Sequence, residues 1–221
     1  MAPAPCFVSG YQPNRFHRMT EERPVVYVVD DDARVRESLS DLIESMGFEV
    51  ATFGTALEFT ELKRADVAGC LILDLNLPGA NGLQLQQTLL GSDAPPIVFL
   101  SGHADIPSSV RAMKAGAIEF LTKPFRQEEL VQAIENAIAL DRVARQKRSA
   151  LAELQGRYNR LTPREREVLP FVASGRLNKQ TAAELGTSHI TVRVHRGQIM
   201  HKMGAQSLSE LVRMAETLGL I

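Results

Sequence analysis

Short apolar runs and longer amphipathic stretches take turns along residues 24–124. Val25–Val29 (VVYVV) is a β-branched run ending in Asp30, Asp31 and Asp32. Residues 33–46 follow with Val35, Leu39, Leu42, Ile43 and Met46 on one face, the spacing of an amphipathic helix. Gly47 suits the closing position of that helix. Residues 48–53 alternate apolar and polar as a strand does. Residues 55–64 predict a second helix through Ala56, Leu57, Phe59 and Leu62. The continuous run at 69–74 carries Leu71, Ile72 and Leu73 into Asp74, with a Pro78-Gly79 turn soon after, and reads as a buried strand. A helix over 82–90, a strand at 96–101 and a helix over 106–115 closed by Gly116 come next. A short strand at 117–121 then leads into Thr122-Lys123-Pro124.

Strands and helices in strict alternation imply right-handed crossovers and a parallel sheet covered on both faces. Beyond it the pattern changes. From Arg126 a helical stripe runs through Leu130, Val131, Ile134, Ala137, Ile138 and Val143, and no Gly or Pro interrupts the chain between Pro124 and Gly156. Residues 126–156 therefore predict one long helix that serves as a linker. Its basic stretch, Arg142, Arg145, Lys147 and Arg148, reads as a solvated face. Thr162-Pro163-Arg164-Glu165 is a capping box with proline at the first helical position. It opens a run of four short helices. The second, 179–185, is capped by Asn178, the third, 189–203, by Ser188 and the fourth, 208–218, by Ser207, with Gly175, Gly186 and Gly204 as punctuation. Two short helices around a glycine turn predict a helix-turn-helix. The expected order is an α/β domain followed by an all-α one.

Charge sharpens that division. The net charge of −1 conceals residues 24–141 with 18 acidic and 8 basic side chains, and residues 142–221 with 6 acidic and 14 basic ones. Balances of −10 and +8 point to two domains with different partners, the basic one suited to nucleic acid. No apolar run approaches the roughly 18 residues of a membrane span, and with no apolar region before Arg15 and Arg18 the start is not expected to be a signal peptide. With only Cys6 and Cys70, two free thiols in the cytoplasm are expected. Residues 1–23, with Pro3, Pro5 and Pro13 and no periodicity, are expected to be a disordered extension, of which 1–18 are dispensable.

The candidate chemistry lies where the strands end. In an open α/β sheet ligands bind at the carboxyl ends of the strands, and an aspartate there is a nucleophile, a metal ligand or a helix cap. Here Asp30 and Asp31, Asp74, Ser101 and Lys123 all follow strands and would converge on one edge. Capping accounts for Asp32, but not for that convergence. Clustered carboxylates repel and call for a divalent cation and an ammonium nearby. Hard oxygen ligands suit Mg²⁺. Asp74 would then be the nucleophile, with Lys123 and Ser101 holding phosphoryl oxygens.

Val29-Asp30-Asp31, Asp74 through Gly82, Ser101-Gly102, Ala115-Gly116-Ala117 and Lys123-Pro124-Phe125 resemble the receiver domain of two-component response regulators. Residues 161–221 resemble the LuxR-type DNA-binding domain, in Leu161 through Leu169, Asn178-Lys179 and Thr191 through Arg196. Together these place the chain with the NarL/FixJ family, in its FixJ-like subgroup. The resemblance implies a five-stranded, doubly wound receiver of flavodoxin-like order 2-1-3-4-5 over 24–140, a helical linker over 141–158 and a four-helix DNA-binding domain over 159–221. It implies phosphoryl transfer to Asp74 from a sensor histidine kinase, and Mg²⁺ held by Asp31, Asp74, the Asn76 carbonyl and Asp30. Ser101 and Phe120 would be the switch pair, with phenylalanine where tyrosine is commoner, and Lys123-Pro124 would be cis. His103, Ile106 and Pro107 would move with the switch. The phosphorylated chain would dimerise on promoter DNA and engage RNA polymerase, the receiver assisting at most its own phosphorylation and dephosphorylation.

Helical geometry sorts the third helix of the basic domain. At about 100° per residue, Val192, His195, Ile199 and Met203 share the core face, while Arg193, Val194, Gly197 and His201 face the major groove. Arg193 suits guanine edges and Val194 a thymine methyl. Arg196 at the flank and Lys179 on the preceding helix suit phosphates. Gly197 departs from the larger residue usual there and costs roughly 1 kcal/mol of helix stability. Two other readings stand beside this one. In the first the regulator binds DNA without phosphorylation, its receiver a scaffold. The second is an aspartyl-phosphate enzyme, which would want a second aspartate where Asn76 stands.

Overall fold

The computed structural model describes residues 23–77, 80–91, 93–102 and 105–221. The expectations for residues 1–22, including Cys6, for the Pro78-Gly79 turn and for His103 lie outside the described residues. The chain divides after Ile138 into two compact units.

The first unit is built on five parallel strands, β1 (Val25–Val29), β2 (Glu49–Phe53), β3 (Gly69–Asp74), β4 (Ile97–Ser101) and β5 (Glu119–Thr122). They lie in the order β2-β1-β3-β4-β5, as the resemblance implied. Burial follows position in the sheet. Every residue of central β3 and β4 is buried, while edge strands β2 and β5 are partly exposed. That is why residues 48–53 alternate and 69–74 do not. The register sets Asp74 of β3 beside Leu100, and Ser101 beside Thr122 of β5. Between β3 and the following helix, Asn76–Leu77 pairs antiparallel with Ala80–Asn81.

Four helices follow the first four strands: α1 (Ala33–Ser45), α2 (Ala56–Glu61), α3 (Gly82–Leu89) and α4 (Ile106–Lys114). Their starts are local chemistry. The side chains of Asp32, Thr55, Asn81 and Asp105 each accept an N–H from the first turn of the helix they precede. One core cluster gathers Val26, Val28, Ile72, Val98 and Leu100 with Leu39, Ile43, Leu130 and Ile134. On the other face Val29, Leu71, Leu73 and Phe99 meet Phe59, Leu85, Leu89 and Ala112. The fifth strand begins two residues later than the sequence pattern suggests: Gly116 takes φ +92° and the Ala117 N–H still donates back to the Ala112 carbonyl of α4 at 3.1 Å.

Helix α5 runs Gln127–Asn159, through Gly156, where a 156 stop was expected. Leu154 and Tyr158 pack on the core of the second unit, which continues the helix past its glycine. That unit holds α6 (Pro163–Ala173), α7 (Asn178–Glu184), α8 (His189–Met203) and α9 (Leu208–Thr217). Its core joins Leu161, Val168, Leu169, Val172, Val192, Ile199, Met203 and Leu211. One expected cap is corrected. Asn178 is the first helical residue of α7, not its N-cap, which is Leu177. The Gln180 side chain reaches back to accept the Leu177 N–H at 3.0 Å, so the helix starts one residue early without a polar cap. Among the described residues no helix is long and apolar enough to cross a membrane.

Candidate functional site

The carboxyl edge of the sheet brings together groups that are far apart in sequence. Asp30 ends β1's run and Asp74 ends β3, and both carboxylates are buried. Lys123, just beyond β5, donates from Nζ to Asp30 Oδ2 at 2.7 Å and to Asp74 Oδ1 at 3.0 Å. Its backbone N–H donates to the Ser101 carbonyl at 2.8 Å, which ties the lysine to the end of β4. The Lys123-Pro124 peptide is cis. The Asn76 N–H donates to Asp74 Oδ2 at 2.8 Å. Both Asp74 oxygens therefore have a donor.

Burial pushes the Asp74 carboxyl up from its ordinary value. The Lys123 hydrogen bond and the Asn76 N–H pull it down only part of the way, and the Asp30 charge adds to the rise. Lys123 is pulled down by its own burial, but the bonds to Asp30 and Asp74 more than offset this and hold its ammonium above the usual lysine range. The ammonium thus keeps its proton firmly, while for Asp74 burial outweighs the help it receives from Lys123.

Asp31 is exposed beside Asp30. Among the described residues no three His, Cys, Asp or Glu side chains stand close enough together to hold a metal ion as a preformed cluster. The donor set on this edge, carboxylates and a backbone carbonyl at Asn76, nevertheless has the hard-oxygen chemistry that suits Mg²⁺. Ser101 is fully buried at the end of β4. Phe120 is half-buried on β5 and stacks on Phe99, ring centroids 6.1 Å apart.

Asp74 and Asp30 each have a neighbour whose contact the sequence does not mark. At Gly82, a Cβ would stand 2.5 Å from the Asp74 carbonyl oxygen and 3.1 Å from the Phe99 ring. Glycine is needed there because α3 begins against the backbone of the acidic strand. Arg36, one turn into α1, donates from Nη1 to the Asp30 carbonyl at 2.6 Å. The glycine after the turn was visible in the sequence, but nothing local marked its partner or that of Arg36.

The second unit presents a different kind of surface. On α8, Val192, Ile199 and Met203 are buried and His195 is half-buried, whereas Arg193, Val194, Gly197 and His201 are exposed. Arg196 is half-buried at the flank, and Lys179 is exposed in the first turn of α7. The outward face of α8 is held by contacts at its inner end. Lys202 donates to both oxygens of Glu165, at 2.9 and 2.7 Å. Glu165 also closes the capping box of α6 by accepting the Thr162 N–H at 2.7 Å. Burial would raise this carboxyl, but Lys202 and the Thr162 N–H together hold it below the usual glutamate range. Arg157 of α5 donates to the Met203 carbonyl at 3.1 Å, capping the end of α8. Glu165 was legible as a cap, but its pairing with Lys202, 37 residues away, was not.

Comparison with known proteins gives two adjoining family matches. The response regulator receiver domain matches residues 26–135, and the bacterial regulatory proteins of the luxR family match residues 159–215. Nodulation protein W of Bradyrhizobium diazoefficiens is 46% identical over 92% of this chain and 90% of its own length. The transcriptional regulatory protein FixJ of the same organism is 39% identical over 89% of this chain and 96% of its own. Among solved structures, that of the response regulator StyR is similar with a TM-score of 0.78 and 48% identity, covering 88% of this chain and 99% of that one.

Proposed function

Because this chain belongs to the FixJ-like response regulators, transcriptional regulators of two-component systems that join a receiver to a LuxR-type DNA-binding domain, we propose that phosphorylation of Asp74 switches it onto promoter DNA. A sensor histidine kinase is the donor. A carboxylate oxygen of Asp74 attacks the phosphorus, the bond to the kinase histidine nitrogen breaks, and an acyl phosphate forms. The observation that carries this reading is the Lys123 ammonium bridging Asp30 and Asp74, at 2.7 and 3.0 Å. It keeps the acceptor carboxylate oriented and stands ready to move onto a phosphoryl oxygen when that oxygen replaces the carboxylate charge. Asp30, Asp31, Asp74 and the Asn76 carbonyl would hold Mg²⁺, which supplies counter-charge for the transferring phosphoryl group.

The added charge and acceptor oxygens draw the Ser101 hydroxyl towards them, and Phe120 turns in behind it. The surface of α4 and β5 changes with that turn. Residues 24–140 act as the receiver, 141–158 as the linker and 159–221 as the reader of DNA, all in the cytoplasm. Phosphorylation favours a homodimer, which sets two copies of α8 on paired half-sites. Arg193 and Val194 contact base edges, with His201 further along the same face. Gly197 lets the helix approach the groove floor, and Lys179 and Arg196 bind phosphates. RNA polymerase is the further partner at the promoter.

Incubation of the full-length chain with a small phosphodonor and Mg²⁺ tests the first step. Labelling is expected in the wild type and lost in Asp74→Asn, and labelling that persists in the variant refutes the assignment. DNA affinity with and without a beryllofluoride mimic tests the second step. Equal affinities would favour a regulator whose receiver is a scaffold.

A further inference from the structure

The outward face of α8 holds a residue that the reading above leaves without a role. Ile190 is 58% exposed and belongs to none of the three core clusters. It stands second in the helix after the cap Ser188, whose hydroxyl accepts the Thr191 N–H at 3.1 Å. A hydrophobic staple, the usual structural use of an apolar side chain at a helix start, would employ Thr187 and Val192 instead. Ile190 therefore contributes neither to the core nor to the cap.

Its neighbours on the face say what it meets. Val194, one turn on, is 55% exposed, and residues four apart on a helix lie side by side. Arg193 is exposed beside them. One turn further Gly197 has open space where a Cβ would stand, so no side chain reads anything there. Reading is thus concentrated in the first two turns, where recognition helices touch base edges. The apolar pair stands beside the exposed Arg193, in a segment of balance +8. That setting suits the floor of a groove walled by phosphates. The one apolar group that base edges offer there, on A·T pairs alone, is the thymine 5-methyl.

We infer that Ile190 is a further specificity-determining residue, whose side chain packs on a thymine methyl group next to the one that Val194 meets. The inference rests on the proposed DNA-binding role of α8. With Arg193 as the hydrogen-bonding reader, the helix makes a mixed surface, one polar contact beside two neighbouring apolar ones. Sites bound by this chain then carry two neighbouring thymine methyls at fixed positions beside a guanine.

The test uses the full-length chain with beryllofluoride and a duplex selected from random sequence. Each thymine is replaced in turn by deoxyuridine, which removes only the methyl group. For the wild type, two positions in each half-site are expected to lose about fourfold in affinity on replacement, the value of one buried methyl. Ile190→Ala loses about as much on the thymine duplex and becomes indifferent to uracil at one of those positions, while Val194→Ala becomes indifferent at the other. Ile190→Val keeps the wild-type pattern, and serves should the alanine variant fold poorly. Ile190→Ala with wild-type affinity and unchanged uracil sensitivity at every position overturns the inference and leaves the DNA-binding role standing. A wild-type chain that selects no duplex at all overturns both.

Discussion

The two units build their surfaces from opposite ingredients. At the acidic edge the decisive contacts join residues 93 and 49 positions apart, Lys123 to Asp30 and Lys123 to Asp74. Each group is delivered by a separate strand, and the site exists only when the sheet is complete. On α8 the reading residues lie within one helix of 15 residues. There the chain composition fixes the face, and tertiary contacts only aim it. The first surface should fail when a single strand end is disturbed. The second should lose direction before it loses its shape.

Removal of Lys123 is the severest way to probe that difference. Lys123→Met leaves Asp30 and Asp74, 3% and 8% exposed, with no shared cation. Breaking a buried pair in this way costs about 3–5 kcal/mol. Urea denaturation followed by hydrogen exchange in β3 reads the loss in the first unit. Mg²⁺ should restore more stability to this variant than to the wild type, since it supplies the counter-charge that the lysine gave. The counterpart in the second unit, Lys202→Met, should cost less, about 2 kcal/mol, because it strips the cation from one carboxylate, Glu165, and not from two. A larger loss at Lys202 than at Lys123 would break the comparison.

Gly82→Ala comes next. The new Cβ would lie 2.5 Å from backbone, the Asp74 carbonyl oxygen, and backbone of a central strand has nowhere to go. Such overpacking costs about 1–3 kcal/mol. Because the displaced strand end carries Asp74, phosphodonor labelling should slow as well. Wild-type stability and labelling in this variant would show that α3 can shift freely, and that the acidic edge does not depend on that contact.

What the sequence disclosed divides along the same line. Asp30, Asp74, Ser101 and Lys123 were legible because each follows an apolar run, and a parallel sheet sends all such positions to one edge. The inward and outward faces of α8 were legible from helical spacing alone. The partners of Arg36, Gly82, Arg157 and Lys202 were not, because each reaches across the fold to a group that no local pattern marks. The cap of α7 shows the limit at short range. Asn178 has the chemistry of a cap, yet Gln180 bonds back to Leu177 and moves the helix start by one residue. Likewise α5 passes through Gly156 because Leu154 and Tyr158 have a core to pack on, a tertiary gain larger than the local cost of one glycine.

Acid should separate the units in a milder way. Glu165 is held below its ordinary value by Lys202 and the Thr162 N–H. A carboxyl depressed in the folded state contributes stability that is present above its unfolded value, about 4.3, and is lost as pH falls through the folded value. The second unit should therefore weaken as pH drops below about 4, and Glu165→Gln should flatten that part of the curve while lowering stability at neutral pH. Thermal melts of the second unit across pH 3–7 check this. An unchanged acid slope in Glu165→Gln would mean that other carboxyls carry it.

The smallest effect has the opposite sign and tests the comparison most finely. Gly197 lies in the interior of α8, and a Cβ there meets nothing within 4 Å. Alanine in place of glycine in an exposed helix interior stabilises by about 1 kcal/mol. Gly197→Ala should therefore raise the melting temperature of the second unit, where the same exchange at Gly82 lowers that of the first. Both glycines stand in helices, and what separates them is whether backbone from another element lies against them. DNA affinity supplies the second reading. If the alanine variant is more stable yet binds its selected duplex markedly less well, the open position serves close approach of the helix to the groove floor. If it is more stable and binds equally well, the gap is idle, and base reading rests on the two turns before it.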